Sequence, residues 1–512
     1  MSSGSYNAAA DLIGRNLAAG RADKLAFRDD RASLTYGELA TRVDAAAHAL
    51  RALGLEPEQR VLMILLDTID FPTMFLGAIK AGIVPVPVNT MLTAQDYDYI
   101  LRDSRARALI VSDALYPRLK PILGAQPYLK HIVISGEPAD GRNTVAALLD
   151  KAAPHGLAAA VDTTPDDVAF WLYSSGSTGQ PKGVVHLQSH LAKTAELYAK
   201  PVLGIAESDL VYSAAKLFFA YGLGNGLTFP MSVGATAILS AERPTPASVW
   251  KILREQRPTI FYGVPTLYAA MLAANDTPSR AEVALRRCAS AGEALPEQIG
   301  KAWHERFGVD ILDGIGSTEM LHIFLSNRPG EVRYGTTGKA VPGYEVRLVD
   351  DDGNPVPRGE IGELQVSGPT SAAHYWNNRE RSRHTFMGPW TRSGDKYRQD
   401  DDGYYVYCGR TDDMLKVGGI YVSPFEVEGA LASHDDVLEA AVVGAEDSEK
   451  LVKPKAYVVL KPGRVATPAL AEALKEHVKS RLAPYKYPRW IEFIEEMPKT
   501  ATGKIQRFKL RQ

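Results

Sequence analysis

A run of small polar residues in the middle of the chain has the composition of a phosphate-binding loop. The run follows an apolar stretch, is followed within three residues by Lys182, and comprises Ser174, Ser175, Gly176, Ser177, Thr178 and Gly179. Hydroxyl groups and unhindered backbone N–H groups can surround phosphate oxygens, and a nearby lysine adds positive charge. The spacing matches neither a Walker A loop nor a dinucleotide-binding fingerprint. Because such segments are also typical of flexible turns, composition alone leaves both interpretations open.

Four other polar residues have types and positions suited to catalysis or nucleotide binding. Glu319 follows Thr318 and a glycine-rich segment that we expect to form a turn after an apolar strand. Asp395 and Arg410 each come directly after a glycine, and Lys504 lies in a short polar loop near the C-terminus. Each also has an ordinary explanation: an acidic residue that begins a helix, two turn residues and a solvated lysine.

The elements that would position these residues alternate between helix and strand. Thr35 to Glu38 has the form of a capping box, which predicts a helix through Leu53. Short apolar strands and amphipathic helices then alternate up to residue 88 and again over 235–307, which predicts two mostly parallel sheets covered by helices. After about residue 330, short strands between turns predict a β-rich subdomain.

The last part of the chain is predicted to be a separate α+β unit. Ser423, Pro424 and Glu426 combine an N-cap, a first-turn proline and a capping carboxylate, so a helix should begin at Pro424. A polar run precedes this unit, and we set the domain boundary between residues 411 and 412. The predicted fold class is therefore α/β, with a large N-terminal domain of several subdomains (1–411) and a small, mobile α+β C-terminal domain (412–512).

The stretch from Leu217 to Ala241 contains 25 consecutive residues without a charge, which is long enough to span a membrane. Four glycines, a proline and an asparagine interrupt it, and in lipid their backbone groups would lack partners. We therefore expect no membrane span and interpret the stretch as buried, irregular chain that lines a cavity.

The overall composition restricts the class of protein. The 58 lysines and arginines balance 60 acidic residues, so nucleic acid is not an expected partner. The two cysteines, Cys288 and Cys408, lack the spacing of a disulfide scaffold or zinc site, which is typical of a reducing compartment. The N-terminal residues lack the basic start and apolar run of a secretory signal, so we expect a cytoplasmic protein.

Five ordered segments closely resemble the motifs of the adenylate-forming superfamily, which includes acyl-CoA synthetases, aryl-CoA ligases, luciferases and peptide-synthetase adenylation domains. The first is the phosphate loop, residues 173–183. The others are residues 290–296 (SAGEALP), 313–319 (DGIGSTE), 390–395 (WTRSGD) with 409–413 (GRTDD), and 498–504 (PKTATGK). Any one motif would be weak, but five in the family's order, over most of the chain, make the resemblance specific.

The resemblance implies that ATP and Mg2+ bind to the large domain. Thr318 and Glu319 are implied to act in catalysis, Thr318 by touching phosphate and Glu319 by holding Mg2+, a hard ion suited to one carboxylate plus ATP phosphates. Asp395 and Arg410 resemble the ribose-binding pair. The implied adenine slot comprises Gly292, Glu293, Ala294, Asp313, Gly314, Ile315 and Gly316.

The C-terminal domain is implied to carry the catalytic lysine. Attack of a carboxylate oxygen on the α-phosphate of ATP builds negative charge in the transition state, which a cation must meet. Lys504 occupies the matching place of the family's catalytic lysine. Asp412 matches the hinge about which this domain rotates between adenylation and thioester formation. Gly418 and Gly419 would line the tunnel for the pantetheine arm of CoA, although an ordinary turn is the alternative.

The uncharged stretch aligns with the acyl pocket of the superfamily. The implied pocket residues are Phe219, Ala220, Tyr221, Gly222, Ala291, Gly292, Ile315 and His322. Amino-acid-activating relatives carry an Asp here, whereas residues 211–241 contain no acidic residue, and an unpaired buried ammonium would be costly. Phe219 stands where many acyl-CoA synthetases of this family carry His, and Lys216 replaces a common proline.

The pocket segment and the residues around His322 look most like the benzoate-CoA ligases. This resemblance implies an aryl-CoA ligase that converts benzoate or a substituted benzoate to its CoA thioester, with CoA as co-substrate and AMP and diphosphate released. Tyr221 and His322 are candidates to bind a ring hydroxyl, or they only pack. The alternatives left open are another aryl or short acyl substrate such as 4-hydroxybenzoate, the loading of a separate carrier protein, and a nucleotide-binding regulator, which the intact catalytic residues disfavour. A homodimer is compatible with the resemblance.

Overall fold

A computed structural model of the protein describes residues 4–176, 179–411, 413–417, 420–448, 451–499 and 505–511. Six of the residues predicted to act in the site lie outside the described residues: Ser177, Thr178, Asp412, Gly418, Gly419 and Lys504.

The first part of the chain forms a parallel sheet covered by helices. Its helices are α1 (Ala8–Ala18), α2 (Tyr36–Ala52), α3 (Asp70–Lys80), α4 (Ala94–Ser104), α5 (Tyr116–Leu123) and α6 (Val145–Ala152). Its strands are β1 (Leu25–Arg28), β2 (Ser33–Thr35), β3 (Arg60–Ile64), β4 (Val84–Pro87), β5 (Ala108–Ser112), β6 (His131–Ser135) and β7 (Asn143–Thr144). Strands β4–β3–β5–β6–β7 form a parallel sheet in this order. Thr35 and Glu38 form the predicted capping box at the start of α2.

A second, larger sheet follows. The elements here are β8 (Val168–Gly176), β9 (Gly179–Leu187), α7 (Gln188–Thr194), β10 (Leu210–Ser213), α8 (Ala220–Leu223), α9 (Phe229–Val233), β11 (Thr236–Ile238), α10 (Pro246–Glu255), β12 (Ile260–Gly263), α11 (Pro265–Leu272), β13 (Arg287–Ser290), α12 (Glu297–Phe307), β14 (Ile311–Gly316), β15 (Ile323–Ser326) and β16 (Lys339–Ala340). Nine strands pair in the order β16–β15–β14–β13–β12–β10–β11–β1–β2. The strands from β14 to β1 run parallel, as the α/β pattern predicts.

The remaining strands form the β-rich subdomain and the C-terminal domain. They comprise β17 (Glu345–Val349), β18 (Gly362–Ser367), β19 (His374–Tyr375), α13 (Arg379–Thr385), β20 (Phe386–Met387), β21 (Trp390–Gln399), β22 (Tyr405–Arg410), β23 (Leu415–Val417), β24 (Ile420–Val422), α14 (Pro424–Ala432), β25 (Val437–Glu446), β26 (Val452–Leu460), α15 (Pro468–Lys479) and β27 (Trp490–Phe493). Strands β17, β18, β20, β21 and β22 form one sheet, and β25–β26–β27 form the main sheet of the smaller C-terminal domain. The predicted α/β fold class, with a large N-terminal domain of several sheets and a smaller C-terminal domain, is confirmed. A further small sheet, β19–β9–β8, was not predicted.

Two segments that we expected to be turns or loops belong to strands. Residues 313–316 end β14, and residues 314–316 pair antiparallel with β15, so the expected glycine-rich turn before Glu319 is wrong. The described residues of the phosphate segment, 174–176 and 179, belong to the antiparallel hairpin β8–β9, whose ladder continues to the pair Gly176–Gly179. Both segments are rich in glycine, a poor strand former, and pairing with a neighbouring strand overrides that preference.

The uncharged stretch is helical over much of its length, so the expectation of irregular chain is wrong. α8, a π-helical turn (Gly224–Thr228) and α9 follow one another directly, and Asn225 and Leu227 are fully buried. A buried segment must pair its own N–H and C=O groups, which a helix achieves without a partner strand. Throughout the described ranges, every helix is too short or too polar to cross a membrane, as expected.

The capping carboxylate expected for α14 is also wrong. Ser423 caps this helix by accepting a hydrogen bond from the backbone N–H of Glu426. The Glu426 carboxylate instead lies 2.6 Å from Lys486 Nζ, because the nearby lysine offers a charged partner. The helix nevertheless begins at Pro424, as predicted.

Asp67 joins the first sheet to the uncharged stretch and gives a pH-dependent prediction. Its carboxylate is 4 % exposed and accepts a hydrogen bond from the backbone N–H of Leu217 at 3.2 Å. Burial raises the pKa of Asp67 from 3.8 to about 6, although Lys216 lies nearby. The folded protein thus binds this proton more tightly than the unfolded chain, so protonation stabilises the fold as the pH falls through about 6. As the pH falls from about 7.5 to about 5, we expect the unfolding free energy of the wild type to rise relative to that of Asp67→Asn by about 1.4 kcal/mol, because about one pH unit of this range lies below the folded-state pKa.

The unfolding free energies are measured by calorimetry, and Asp209→Asn is the matched control. Asp209 is equally buried, but hydrogen bonds from Arg286 and Thr259 outweigh the effect of burial and lower its pKa. Its carboxylate therefore stays ionised across this pH range, and the stability difference should be constant. If the unfolding free energies of the wild type and Asp67→Asn changed with pH in parallel, the proposed effect of burial on the pKa of Asp67 would be contradicted.

Candidate active site

The hairpin β8–β9 positions Lys182 next to Glu319. Lys182 lies on β9 opposite Ser174, and its Nζ is 3.6 Å from Glu319 Oε1. Both side chains are mostly buried, at 11 % and 15 % exposure. Burial lowers the pKa of Lys182, whereas the Glu319 carboxylate opposes this change. A cation and a carboxylate thus meet near the tip of the β8–β9 hairpin, which we call the phosphate hairpin.

Tyr375 completes this group. Its hydroxyl donates to Glu319 Oε1 at 2.8 Å and accepts from Lys182 Nζ at 3.3 Å, and the lysine also lies over the tyrosine ring. Burial and the adjacent carboxylate raise the pKa of Tyr375. Tyr375 lies on β19, which pairs with β9, so the unpredicted small sheet brings all three side chains together. The sequence motifs gave no signal for this tyrosine because it lies outside all five.

Asp395 and Arg410 face each other on adjacent strands. They are paired residues of β21 and β22, and Arg410 Nη1 donates to Asp395 Oδ1 at 3.0 Å. The Asp395 charge is the main cause of the raised pKa of Arg410, and Glu319 adds to it. Gly394 has φ +74° and an added Cβ would lie 2.9 Å from Arg410 Nη2, so glycine fits both the turn and the guanidinium. The predicted ribose pair is therefore close in space.

The predicted adenine segments lie at the ends of neighbouring strands. β13 and β14 run parallel, with Ser290 opposite Asp313, so residues 291–294 leave the sheet beside residues 313–316. Asp313 is 4 % exposed and burial raises its pKa strongly. The carboxyl ends of parallel strands are where ligands commonly bind in α/β sheets.

Of the residues predicted for the acyl pocket, Tyr221 and His322 are in direct contact. The His322 side chain is 3 % exposed, and its Nε2 lies 3.3 Å from the Tyr221 carbonyl oxygen and 3.2 Å from Asn225 Oδ1. Both partners only accept, so Nε2 carries the proton, and burial lowers the pKa of His322 to about 3. Nδ1 is then a buried acceptor without a hydrogen-bond partner among the described residues.

Aromatic rings enclose this histidine. Its ring centroid is 4.4 Å from that of Phe229 and 5.5 Å from those of Tyr198 and Tyr221. Phe219, Ala220 and Gly222 belong to the same chain segment as Tyr221, and Ala291 and Ile315 line the adjacent strand ends. Tyr198 and Phe229 were not predicted as pocket residues, because neither lies in a motif. The uncharged stretch that contains Phe229 was the one available signal.

Glu319 is the candidate carboxylate for a metal ion in this site. Within the described ranges, the protein has no group of three or more His, Cys, Asp or Glu side chains that could hold a metal ion. Glu319 offers one mostly buried carboxylate beside the phosphate hairpin. This fits Mg2+, which commonly takes one or two protein carboxylates and completes its shell with phosphate oxygens and water.

The C-terminal domain contacts this site near Arg410. Tyr407 of β22 packs edge-on against Phe425 of α14 at 5.3 Å between ring centroids. Arg507 binds both oxygens of Glu428, at 2.9 and 2.7 Å, and lies 3.9 Å from Asp413. Asp413, which follows the predicted hinge residue, is thus paired by charge with the C-terminal segment.

Comparison with known families identifies the chain. Residues 15–376 match the AMP-binding enzyme family and residues 426–504 match the AMP-binding enzyme C-terminal domain. The chain belongs to the AMP-binding enzyme family. This AMP-binding enzyme is 64% identical over 508 residues to a benzoate–CoA ligase of Thauera aromatica, an alignment that covers 99% of this chain and 96% of the relative.

Two further relatives agree. The AMP-binding enzyme is 52% identical over 511 residues to a 4-hydroxybenzoate–CoA/benzoate–CoA ligase of Rhodopseudomonas palustris, covering 99% of this chain and 94% of the relative. The crystal structure of a benzoate CoA ligase from Burkholderia xenovorans LB400 superposes with a TM-score of 0.93 at 57% identity, covering 99% of this chain and 100% of that chain. The fold and the sequence thus agree over the full length.

Proposed function

We propose that this enzyme is an ATP-dependent, AMP-forming aryl-CoA ligase that acts on benzoate. The observation that carries the proposal is that the phosphate site and the aromatic pocket are joined by only a few residues of the chain. Glu319, in the phosphate site, and His322, in the aromatic pocket, are three residues apart in one turn. A planar acid held against His322 would present its carboxylate toward the ATP phosphates. Relatives of the chain carry the same activity in their names, which supports the proposal.

The first half-reaction joins the acid to AMP. A benzoate oxygen attacks the α-phosphate, the bond to the β-phosphate breaks, and diphosphate leaves. The N–H groups of the hairpin, Lys182 and Thr318 bind phosphate oxygens, while Asp395 and Arg410 hold the ribose. Glu319 would hold Mg2+, which supplies charge neutralisation of the phosphates when bound. Lys504 provides the cation for the α-phosphate in the transition state.

The second half-reaction uses the C-terminal domain differently. We place the domain boundary between residues 411 and 412, with Asp412 as the hinge. Rotation about it removes Lys504 and brings Gly418 and Gly419 to the site, where they leave room for the pantetheine arm of CoA. The CoA sulfur then attacks the acyl carbon, and AMP leaves as the thioester forms.

A second substrate, 4-hydroxybenzoate, is favoured by one observation. The buried Nδ1 of His322 is an acceptor without a partner among the described residues, and a ring hydroxyl is a donor of suitable size. An apolar pocket without such a partner separates similar rings by only about 1–3 kcal/mol. A panel of benzoate, 3- and 4-hydroxybenzoate, 2-aminobenzoate and acetate, assayed for CoA thioester by mass spectrometry, tests this assignment. Thioester from benzoate but not from 4-hydroxybenzoate would overturn it, and thioester from acetate but not from benzoate would overturn benzoate as the main substrate.

Gly224 gives a prediction for the acyl pocket. An added Cβ would lie 2.4 Å from His322 Cδ2, so Gly224→Ala must displace the imidazole. We expect the KM for benzoate to rise about 10-fold or more, with the KM for ATP unchanged, in steady-state assays. Gly226→Ala is the control, because its Cβ meets only the flexible end of Leu217 at 3.0 Å. Equal rises in both variants, or in both KM values, would contradict the proposed pocket.

We also propose that the enzyme is cytoplasmic and forms a homodimer. Both cysteines are buried and free, which is compatible with the cytoplasm. A homodimer is tested by light scattering of the purified protein.

A further inference from the structure

The turn that carries Thr318 and Glu319 has an unfavourable backbone. Leu321 has φ +65°, a left-handed conformation that a residue with a Cβ adopts only at a cost in free energy. The turn is closed by a bond from the Leu321 N–H to the Thr318 carbonyl at 3.2 Å. Such a turn persists only where its surroundings hold it.

Three bonds from outside the turn hold successive carbonyl groups. The Glu319 carbonyl accepts from the Ala372 N–H at 2.8 Å, and the Met320 carbonyl accepts from the Thr370 hydroxyl at 2.8 Å. The Thr318 carbonyl accepts from His186 Nε2, also at 2.8 Å. Two of the donors belong to one loop, whereas His186 belongs to the phosphate hairpin.

His186 is fixed on all sides. It is fully buried and its ring stacks on Phe170 at 5.2 Å between centroids. The Thr318 carbonyl can only accept, so Nε2 of the neutral ring carries the proton, and Nδ1, which lies 3.0 Å from Nδ1 of His190, does not. Burial lowers the pKa of both imidazoles, to about 4 for His186 and about 3 for His190, so both are neutral. One tautomer is therefore selected.

His186 and Lys182 are four residues apart on β9, so both side chains point to the same face of the strand. One strand thus contacts the turn twice, at the Thr318 carbonyl and at the Glu319 carboxylate. We infer that His186 is a positioning residue that sets the distance between the phosphate hairpin and the turn carrying Thr318 and Glu319. The expected effect of His186 on the reaction rate rests on the proposed function, whereas its expected effect on the turn does not.

Two variants separate the hydrogen bond from the packing. His186→Phe keeps a ring to stack on Phe170 but removes the donor, whereas His186→Gln places an amide N–H near the position of Nε2. Hydrogen–deuterium exchange of peptides covering residues 317–322 in the ligand-free protein should accelerate in His186→Phe and return toward wild type in His186→Gln. Benzoate-dependent ATP–diphosphate exchange should fall by about 10- to 100-fold in His186→Phe and recover in His186→Gln, with the KM for benzoate unchanged.

His48→Phe is the control for a general loss of stability, because it replaces a half-buried histidine of α2. If His186→Phe does not fold, His186→Asn replaces it, since its shorter side chain cannot reach Thr318. The inference would be overturned if His186→Phe kept the wild-type rate of ATP–diphosphate exchange and the wild-type protection of the turn from deuterium exchange. Equal losses of ATP–diphosphate exchange in His186→Phe and His186→Gln would also overturn it. If the wild type shows no benzoate-dependent exchange, the proposed function fails while the deuterium measurement still tests the positioning role.

Discussion

Replacing Lys504 with alanine is expected to lower benzoate-dependent ATP–diphosphate exchange by about 100- to 1,000-fold, the usual cost of losing one positioned group that stabilises transition-state charge. The α-phosphate gains negative charge as benzoate attacks, and Lys504 is the residue assigned to meet it from the C-terminal domain. Thioester formation from supplied benzoyl-adenylate should be unchanged, because in the proposed mechanism Lys504 leaves the site before CoA reacts. The two half-reactions are measured separately, by radiolabelled diphosphate exchange and by CoA consumption.

Lys499→Ala is the matched control for this experiment. Lys499 lies five residues earlier and its Nζ is 2.6 Å from Glu439, so its charge is already paired within the C-terminal domain. We expect both half-reactions to be unchanged in this variant. Equal loss of both half-reactions in Lys504→Ala would refute the proposal that Lys504 serves only the first half-reaction and Gly418 and Gly419 only the second.

The second large effect is expected for Glu319→Gln, which keeps the shape of the side chain but removes its charge. Without the carboxylate, the buried Lys182 loses its ion-pair partner at 3.6 Å and the site loses its proposed metal ligand. Diphosphate exchange should fall by about 100- to 1,000-fold, and raising the Mg2+ concentration should restore part of it. The measurement is the exchange rate as a function of Mg2+ at saturating ATP.

Tyr375→Phe provides the comparison, since it removes the hydroxyl that donates to Glu319 at 2.8 Å but leaves both charges. Its loss should be much smaller, and its Mg2+ dependence should follow the wild type. If Tyr375→Phe and Glu319→Gln lose activity equally, the charge of Glu319 is not what the reaction needs.

Much of the fold was predictable from sequence because the signals were local. The capping box at Thr35 and the apolar periodicity that follows it define α2 without help from the rest of the chain. The expectation of a turn at residues 313–316 was wrong because a later strand, β15, pairs with this segment. Local sequence preferences contain no information about such a partner. The helical form of residues 220–233 was missed for a related reason, since burial requires internal hydrogen bonds that the glycines alone do not suggest.

For the site, the sequence supplied the motif residues but not those that support them. Lys182 with Glu319, and Asp395 with Arg410, are brought together in the structure, whereas their roles remain proposals. Tyr375 and His186 act through contacts made across separate strands and a turn, and no spacing in the sequence connects them to Glu319 or Thr318. Lys504, Asp412, Gly418 and Gly419 stay predictions, because they lie outside the described residues.

The most direct test of the proposed activity is a single-turnover measurement with purified wild-type enzyme, ATP, Mg2+ and benzoate, first without and then with CoA. The account predicts that benzoyl-adenylate and diphosphate form before CoA is added, and that benzoyl-CoA and AMP then appear in equal amounts. Formation of benzoyl-CoA with ADP and phosphate, or the absence of adenylate before CoA is added, would contradict it.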